Sequence, residues 1–171
     1  KTRIYLLVES GAGTHDFDNI SVKEVQPATP PVTELVQNGN FNSDRTGWDV
    51  GKGGVISVEA NGNKYISNGY NWGLAQDLVL EAGKSYLITA DTRKGTAGTA
   101  ARIVIMGVDA SGKLITADPV DIKYTHRGAG WESMGATEFT VPPGAVKTRI
   151  YLLVNGGTGS HDFDNVSVKA V

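Results

Sequence analysis

The first 25 residues of this chain return almost unchanged as its last 25. KTRIYLLVESGAGTHDFDNISVKEV at 1–25 and KTRIYLLVNGGTGSHDFDNVSVKAV at 147–171 share 19 residues. A match at one fixed offset marks a repeated unit. The offset, 146 residues, is too long for a solenoid turn and about the size of one domain. Residues 1–25 are therefore expected to be the closing strand pair of a preceding module, with strands at 3–8 and 19–25. QPATPPVTE (26–34) carries three of the six prolines and reads as an extended linker. Residues 35–171 then form a whole module that must close with the same strand pair. The apolar faces of the first copy are expected to dock it as strands against a sheet, in an exchanged or intermolecular arrangement.

Twenty-two glycines and many short β-branched runs exclude a helical architecture, and no 3.6-residue apolar period persists. Strands are expected at 55–59, 64–67, 74–80, 85–93, 101–109, 113–116, 136–141, 148–154 and 163–171, with Trp131 opening another after a loop. Turns fall at EAGK (81–84), DASGK (109–113) and VPPGAV (141–146). Many strands about ten residues apart give an all-β fold, a two-sheet antiparallel sandwich of the jelly-roll kind.

Strand parity sorts core from surface. Tyr86, Ile88 and Ala90 share one face, opposite Leu87, Thr89, Asp91 and Arg93. Ile150, Leu152 and Val154 share another, opposite Arg149, Tyr151 and Leu153. The second set in each strand is expected to be solvated and to offer rings and guanidinium groups to a ligand.

The net charge of −2 argues against nucleic acid or an anionic membrane as the main partner. No cysteine is present, which removes disulfides, thiolate zinc sites and cysteine nucleophiles. No apolar run approaches the roughly 20 residues of a membrane helix. Residues 1–25 do not resemble a signal peptide, so an export signal is expected upstream. His126 and His161 lack metal-ligand partners at useful spacing. Asp49, Asp91 and Glu132 are carboxylates that nothing in the sequence pairs for hydrolysis. A binding protein is expected, not an enzyme.

LVQNGNF followed by GW, then LEAGKSYLITADTRKG, then FDNVSVKAV together resemble carbohydrate-binding modules of families 4, 9, 16 and 22, family 16 above all. The resemblance covers about 35–171. It implies a jelly roll that targets a secreted, extracellular glycoside hydrolase to polysaccharide, often beside a sister module. The implied ligand is a β-linked glucan or mannan. An anionic glycan held by Arg93, Arg102, Arg127 and Arg149 is the variant reading. The implied sugar-contacting residues are Trp48, Tyr70, Trp72, Arg93, Trp131, Arg149 and Tyr151. Trp48 and Trp131 have a packing role as their alternative, and Gln76 is expected to be a satisfied buried amide. The resemblance also implies a structural calcium ion held by Asn40, Glu59, the Lys64 carbonyl and Asp164. Asp164 shares parity with Val166 and Val168, and a carboxylate so placed needs a cation or several donors. The competing class is a spacer or cell-surface adhesion sandwich with no sugar site. Exposure of Trp72, Trp48 and Tyr151 on one surface would decide between them.

Overall fold

Alternating side chains in ten short segments build ten strands. The computed structural model describes residues 3–7, 13–22, 33–48, 51 and 53–171. The strands are β1 (Val55–Val58), β2 (Lys64–Asn68), β3 (Ala75–Leu78), β4 (Ser85–Arg93), β5 (Ala101–Val108), β6 (Leu114–Tyr124), β7 (Trp131–Ser133), β8 (Thr137–Thr140), β9 (Lys147–Val154) and β10 (His161–Ala170). One sheet runs β1-β2-β10-β4-β7 with β8 also paired to β4, and the other runs β3-β9-β5-β6. Every pairing is antiparallel. The result is a two-sheet β-sandwich, as the strand spacing implies.

The repeated strand pair lands at the centre of both sheets. β9 lies between β3 and β5, and β10 between β2 and β4. Ile150 and Leu152 of β9 and Phe163 and Val168 of β10 are fully buried against Ile66, Ile88 and Ile103. Each such side chain contributes roughly 1.5–3 kcal/mol through burial. The alternation expected for β4 holds, with Tyr86, Ile88 and Ala90 inside. Gln76 is the satisfied buried amide expected, since it accepts from the Gln37 N–H and donates to the Gln37 carbonyl, both at 2.8 Å.

Four expectations need correction. Trp48 is not a sugar platform: it is wholly buried, packs 5.5 Å from Phe41 and donates its indole N–H to the Asn38 carbonyl. The outward face of β9 is not solvated, because its central position lets neighbouring strands cover Tyr151 and Leu153. β6 runs on to Tyr124 instead of ending at 116. Pro119 lies within it, and β6 is an edge strand, where a missing N–H leaves no ladder bond unmade. The strands expected at 3–8 and 19–25 are absent from their described parts, 3–7 and 19–22, and Ile4, Leu7, Ile20 and Val22 are exposed. The rest of those two strands, and most of the 26–34 linker, lie outside the described residues.

The chain divides into two compact units, Lys1–Pro31 and Val32–Val171, with the division inside the proline-rich stretch. The second unit begins with a carboxylate clamp. Glu34 accepts from the N–H groups of Leu35, Val36 and Val168 and from the Ser167 hydroxyl. Burial raises its pKa, but these donors outweigh burial and hold it below the ordinary glutamate range. A depressed folded pKa gives stability that is present above the unfolded value and lost as pH falls through the folded one. Glu34→Gln should therefore cost about 1 kcal/mol near neutrality and less in acid. Urea titrations of both proteins across that range check this, and a pH-independent difference sinks the clamp.

Candidate functional site

The outer face of the four-stranded sheet gathers most of the chemistry. Register places Ala75, Tyr151 and Val104 in one row across β3, β9 and β5, and Asp77, Arg149 and Met106 in the next. Ala75, Val104, Tyr151 and Leu153 form a small apolar cluster with Met106 packed on it. Over one end of this floor lies Trp72, from the Gly/Asn-rich loop between β2 and β3. Its ring meets Tyr151 edge-on at 5.0 Å and Tyr70 at 6.1 Å. The Arg102 guanidinium stands 5.6 Å from the Trp72 ring centre. Trp72 and Tyr70 remain 37% and 52% exposed, so the loop presents two rings to solvent above a buried third.

The loop holds this pose through its polar residues. Asn68 donates to the carbonyls of Asn71 (2.9 Å) and Leu152 (2.6 Å), and Asn71 accepts from the Gly73 N–H (2.8 Å). The last side chain of β2 thereby fixes the start of the loop to β9.

Two forked ion pairs flank the rings. Arg149 grips Asp77 at 2.6 and 2.9 Å, and Arg102 grips Asp121 at 2.7 and 3.1 Å. The hydrogen bond that Arg149 donates to Asp77 drives the Arg149 pKa far up, burial opposing it. The Arg102 hydrogen bond holds Asp121 below the ordinary carboxylate range against desolvation. Both forks are two-point contacts and so fixed in direction. They present N–H and carboxylate oxygen side by side, the two functions that a sugar diol uses.

Sequence parity turned Arg149 and Tyr151 outward; the structure brings them together with the loop residues Tyr70 and Trp72, with Tyr151 as the buried support beneath Trp72. Parity did not identify Arg102, Asp77 and Asp121 as members of this face. The available signal was a charged residue at outward parity in an otherwise apolar strand.

Arg93 and Trp131 do not join this face. They lie on the outer side of the six-stranded sheet, opposite Asp162 and each other in register. The Arg93 guanidinium is held between the rings of Tyr65 (4.5 Å) and Trp131 (4.7 Å). It donates twice to Asp162, at 2.9 and 2.8 Å, and also to Glu59. Trp131 donates its indole N–H to Glu59 at 3.0 Å. With the Arg93 guanidinium and the Trp131 indole N–H both turned to partners in the chain, this group is a cross-sheet clasp.

The expected calcium ligands are only partly assembled. Asn63 donates its amide to Asp164 at 2.9 Å and reaches Glu59 at 3.5 Å, so two carboxylates face one side chain. Burial pushes the Asp164 carboxyl up, and the charges of Asp91 and Glu59 add to this against the Asn63 and Asn165 hydrogen bonds. Asn40 is exposed and accepts from the Asn42 N–H, and Lys64, whose carbonyl was the expected ligand, stands opposite Val58 in the β1–β2 ladder. Among the described residues no three His, Asp or Glu side chains converge as a metal site. Glu59, Asn63 and Asp164 fit a hard cation as an oxygen-donor set once the Asn63 amide turns its oxygen inward.

No family model matches the sequence, and no curated protein matches it either. Solved structures do. A family 16 carbohydrate-binding module is 18% identical with a TM-score of 0.53, over 78% of this chain and 98% of that one. The chain shares the fold of carbohydrate-binding modules. A family 4 module (19%, TM-score 0.54) matches 80% of this chain and 99% of its own. The CBM22-1 xylan-binding domain of Paenibacillus barcinonensis Xyn10C (14%, TM-score 0.57) matches 84% and 98%. The enzymatically active domain of bacteriophage CBA120 tailspike protein 4 is also similar (18%, TM-score 0.60), but this chain spans 21% of it.

Proposed function

We propose that the chain is a non-catalytic carbohydrate-binding module that holds a β-linked polysaccharide across the outer face of its four-stranded sheet. Trp72 and Tyr70 stack on the apolar faces of successive sugar rings, and the Arg102–Asp121 and Arg149–Asp77 forks hold the hydroxyls. Of the three rings whose shared exposure separates a sugar binder from a spacer, Trp48 and Tyr151 are buried and Trp72 alone is open. The reading rests on Trp72 with its neighbour Tyr70, propped on Tyr151 and flanked by two fixed charge pairs. Covering one sugar face contributes roughly 1–2 kcal/mol. Affinity therefore rests on several rings and on linked modules.

A neutral glycan is favoured over an anionic one. Arg93, Arg102 and Arg149 are each already neutralised by an aspartate, and Arg127 stands 3.8 Å from Glu132. Glucan and mannan remain candidates. Xylan joins them, because one similar structure is described as xylan-binding and another, a Clostridium thermocellum xylanase fragment, as complexed with xylohexaose. In its parent protein the module would work outside the cell, bringing an appended hydrolase to its substrate. Electrophoresis in gels holding xylan, β-glucan or mannan tests the reading. Retardation by at least one, unaffected by added salt, is expected, and free migration in all three overturns it.

We also infer a structural calcium ion at Glu59, Asn63 and Asp164, where it would offset the buried carboxylate. Its chemistry there is charge neutralisation, without contact to sugar. Chelation should lower the melting temperature of the natural protein. Asp164→Asn, which no longer needs a counter-charge, should abolish the response. An identical EDTA response in both proteins would count against these ligands.

A further inference from the structure

Asn-Gly occurs four times in this chain, at 38–39, 61–62, 68–69 and 155–156. The pair is chemically labile, because glycine lets its own amide nitrogen approach the carbonyl carbon of the preceding side chain without a steric block. Attack needs two freedoms. The asparagine side chain must be able to swing back over the main chain, and the glycine N–H must be free to lose its proton.

Three of the four pairs lack at least one of these freedoms. Asn38 accepts from the Ser43 N–H at 3.0 Å and donates to the carbonyls of Asp44 (3.0 Å) and Thr46 (3.1 Å). Asn68 is buried and donates to the carbonyls of Asn71 and Leu152. Asn61 accepts from the Asn63 N–H at 2.9 Å, and the Gly62 N–H is committed to the Glu59 carbonyl at 2.9 Å. Asn155 differs. It is exposed, and among the described residues neither its side chain nor the Gly156 N–H has a hydrogen-bond partner. The main chain around it is nevertheless held: the Asn155 N–H donates to the Ala100 carbonyl and the Thr99 hydroxyl to the Gly156 carbonyl, both at 2.9 Å. A Cβ at Gly156 would meet no atom within 4 Å, so a ring closing there has room. At the matching place the first copy has Glu9-Ser10, with a carboxylate already present and no asparagine to react.

We propose that Asn155 is the deamidation site of the folded protein, with water as the only co-reactant. The Gly156 nitrogen gives its proton to hydroxide and forms a bond to Asn155 Cγ. The Cγ–Nδ2 bond then breaks, Nδ2 takes a proton from water, and ammonia leaves. The product is a succinimide ring spanning the two residues. Water reopens it at either carbonyl carbon: addition at Cγ leaves aspartate, and addition at the main-chain carbon leaves isoaspartate. Over the whole sequence one water is consumed and one ammonia released. Either product adds a negative charge to the turn between β9 and β10, and isoaspartate also lengthens the main chain there by one methylene. β9 ends at Val154, whose N–H is anchored to the Gly69 carbonyl at 3.2 Å, so the change falls just outside the sheet and the sandwich survives it.

The full chain is kept folded in mildly alkaline buffer and sampled over weeks, beside a second portion kept in guanidinium. Trypsin places each Asn-Gly pair in its own peptide, 24–45, 53–64, 65–84 and 150–169. Mass spectrometry reads the exchange of amide for carboxylate in each, and chromatography separates aspartate from isoaspartate. In the folded protein, peptide 150–169 is expected to convert about tenfold faster than any of the others, the protection that one hydrogen bond gives. In guanidinium all four should convert at similar rates, which assigns the difference to the fold. Asn155→Gln, whose longer side chain must close a six-membered ring, should remove the fast conversion and leave the other three peptides unchanged. Equal rates in the folded protein, a faster reaction at 38, 61 or 68, or a tenfold lead that persists in guanidinium would each overturn the proposal. Fast conversion of 150–169 that survives Asn155→Gln would place the reaction at Asn165 and overturn it as well.

Discussion

Trp48→Ala is expected to cost about 3–5 kcal/mol of stability, the range for emptying a fully buried aromatic site. The side chain is entirely covered, leans on Phe41 and uses its indole N–H to hold the Asn38 carbonyl. Asn38 in turn ties down the loop through its own amide, which donates to Asp44 and Thr46. Losing the indole therefore opens a cavity and frees a loop together. Guanidinium unfolding should show the midpoint drop with little change in slope, and Trp48→Phe should recover much of it. A small stability change accompanied by lost glycan affinity would return Trp48 to the binding surface.

Trp72→Ala is expected to do the reverse. Removing the exposed ring should weaken polysaccharide binding at least tenfold, about 1.4 kcal/mol. The cost in stability should stay near 1 kcal/mol, because the ring is partly exposed and loses only its contacts with Tyr151, Tyr70 and Arg102. Isothermal titration with the oligosaccharide of whichever polysaccharide retards the natural protein reads the first quantity, and thermal unfolding the second. Unchanged affinity would exclude the outer face of the four-stranded sheet. Tyr151→Phe separates support from contact: affinity should barely move if Tyr151 only props Trp72.

The architecture was largely legible because period-two alternation survives in the long strands. β4 follows it throughout, and the repeat alone fixed the closing pair. Parity fails as a guide to exposure where it ignores position in the sheet. Arg149, Tyr151 and Leu153 do point outward, yet β9 is central, so flanking strands and the Trp72 loop cover what a lone strand would expose. The site was half visible for a related reason. A tryptophan in a Gly/Asn loop announces itself, since no regular strand can draw it inward. Whether Trp131 or Trp48 faces sugar, core or an arginine depends on contacts from distant segments, such as Glu59 with Trp131 across 72 positions. Local sequence carries no trace of those partners.

Pro119, tolerated in β6 because that strand is an edge, also safeguards the edge. A chain with near-identical strand segments risks aggregation, because any open sheet margin is a template for the wrong copy. The β6 margin carries a proline with no N–H to offer, beside Asp118 in a left-handed conformation that bends the backbone away. Asp121 and Lys123 then place charge along the same strand. A growing fibril needs an uninterrupted row of donors and acceptors, and this margin breaks that row in its middle. Repetition is thereby kept from becoming polymerisation along this edge.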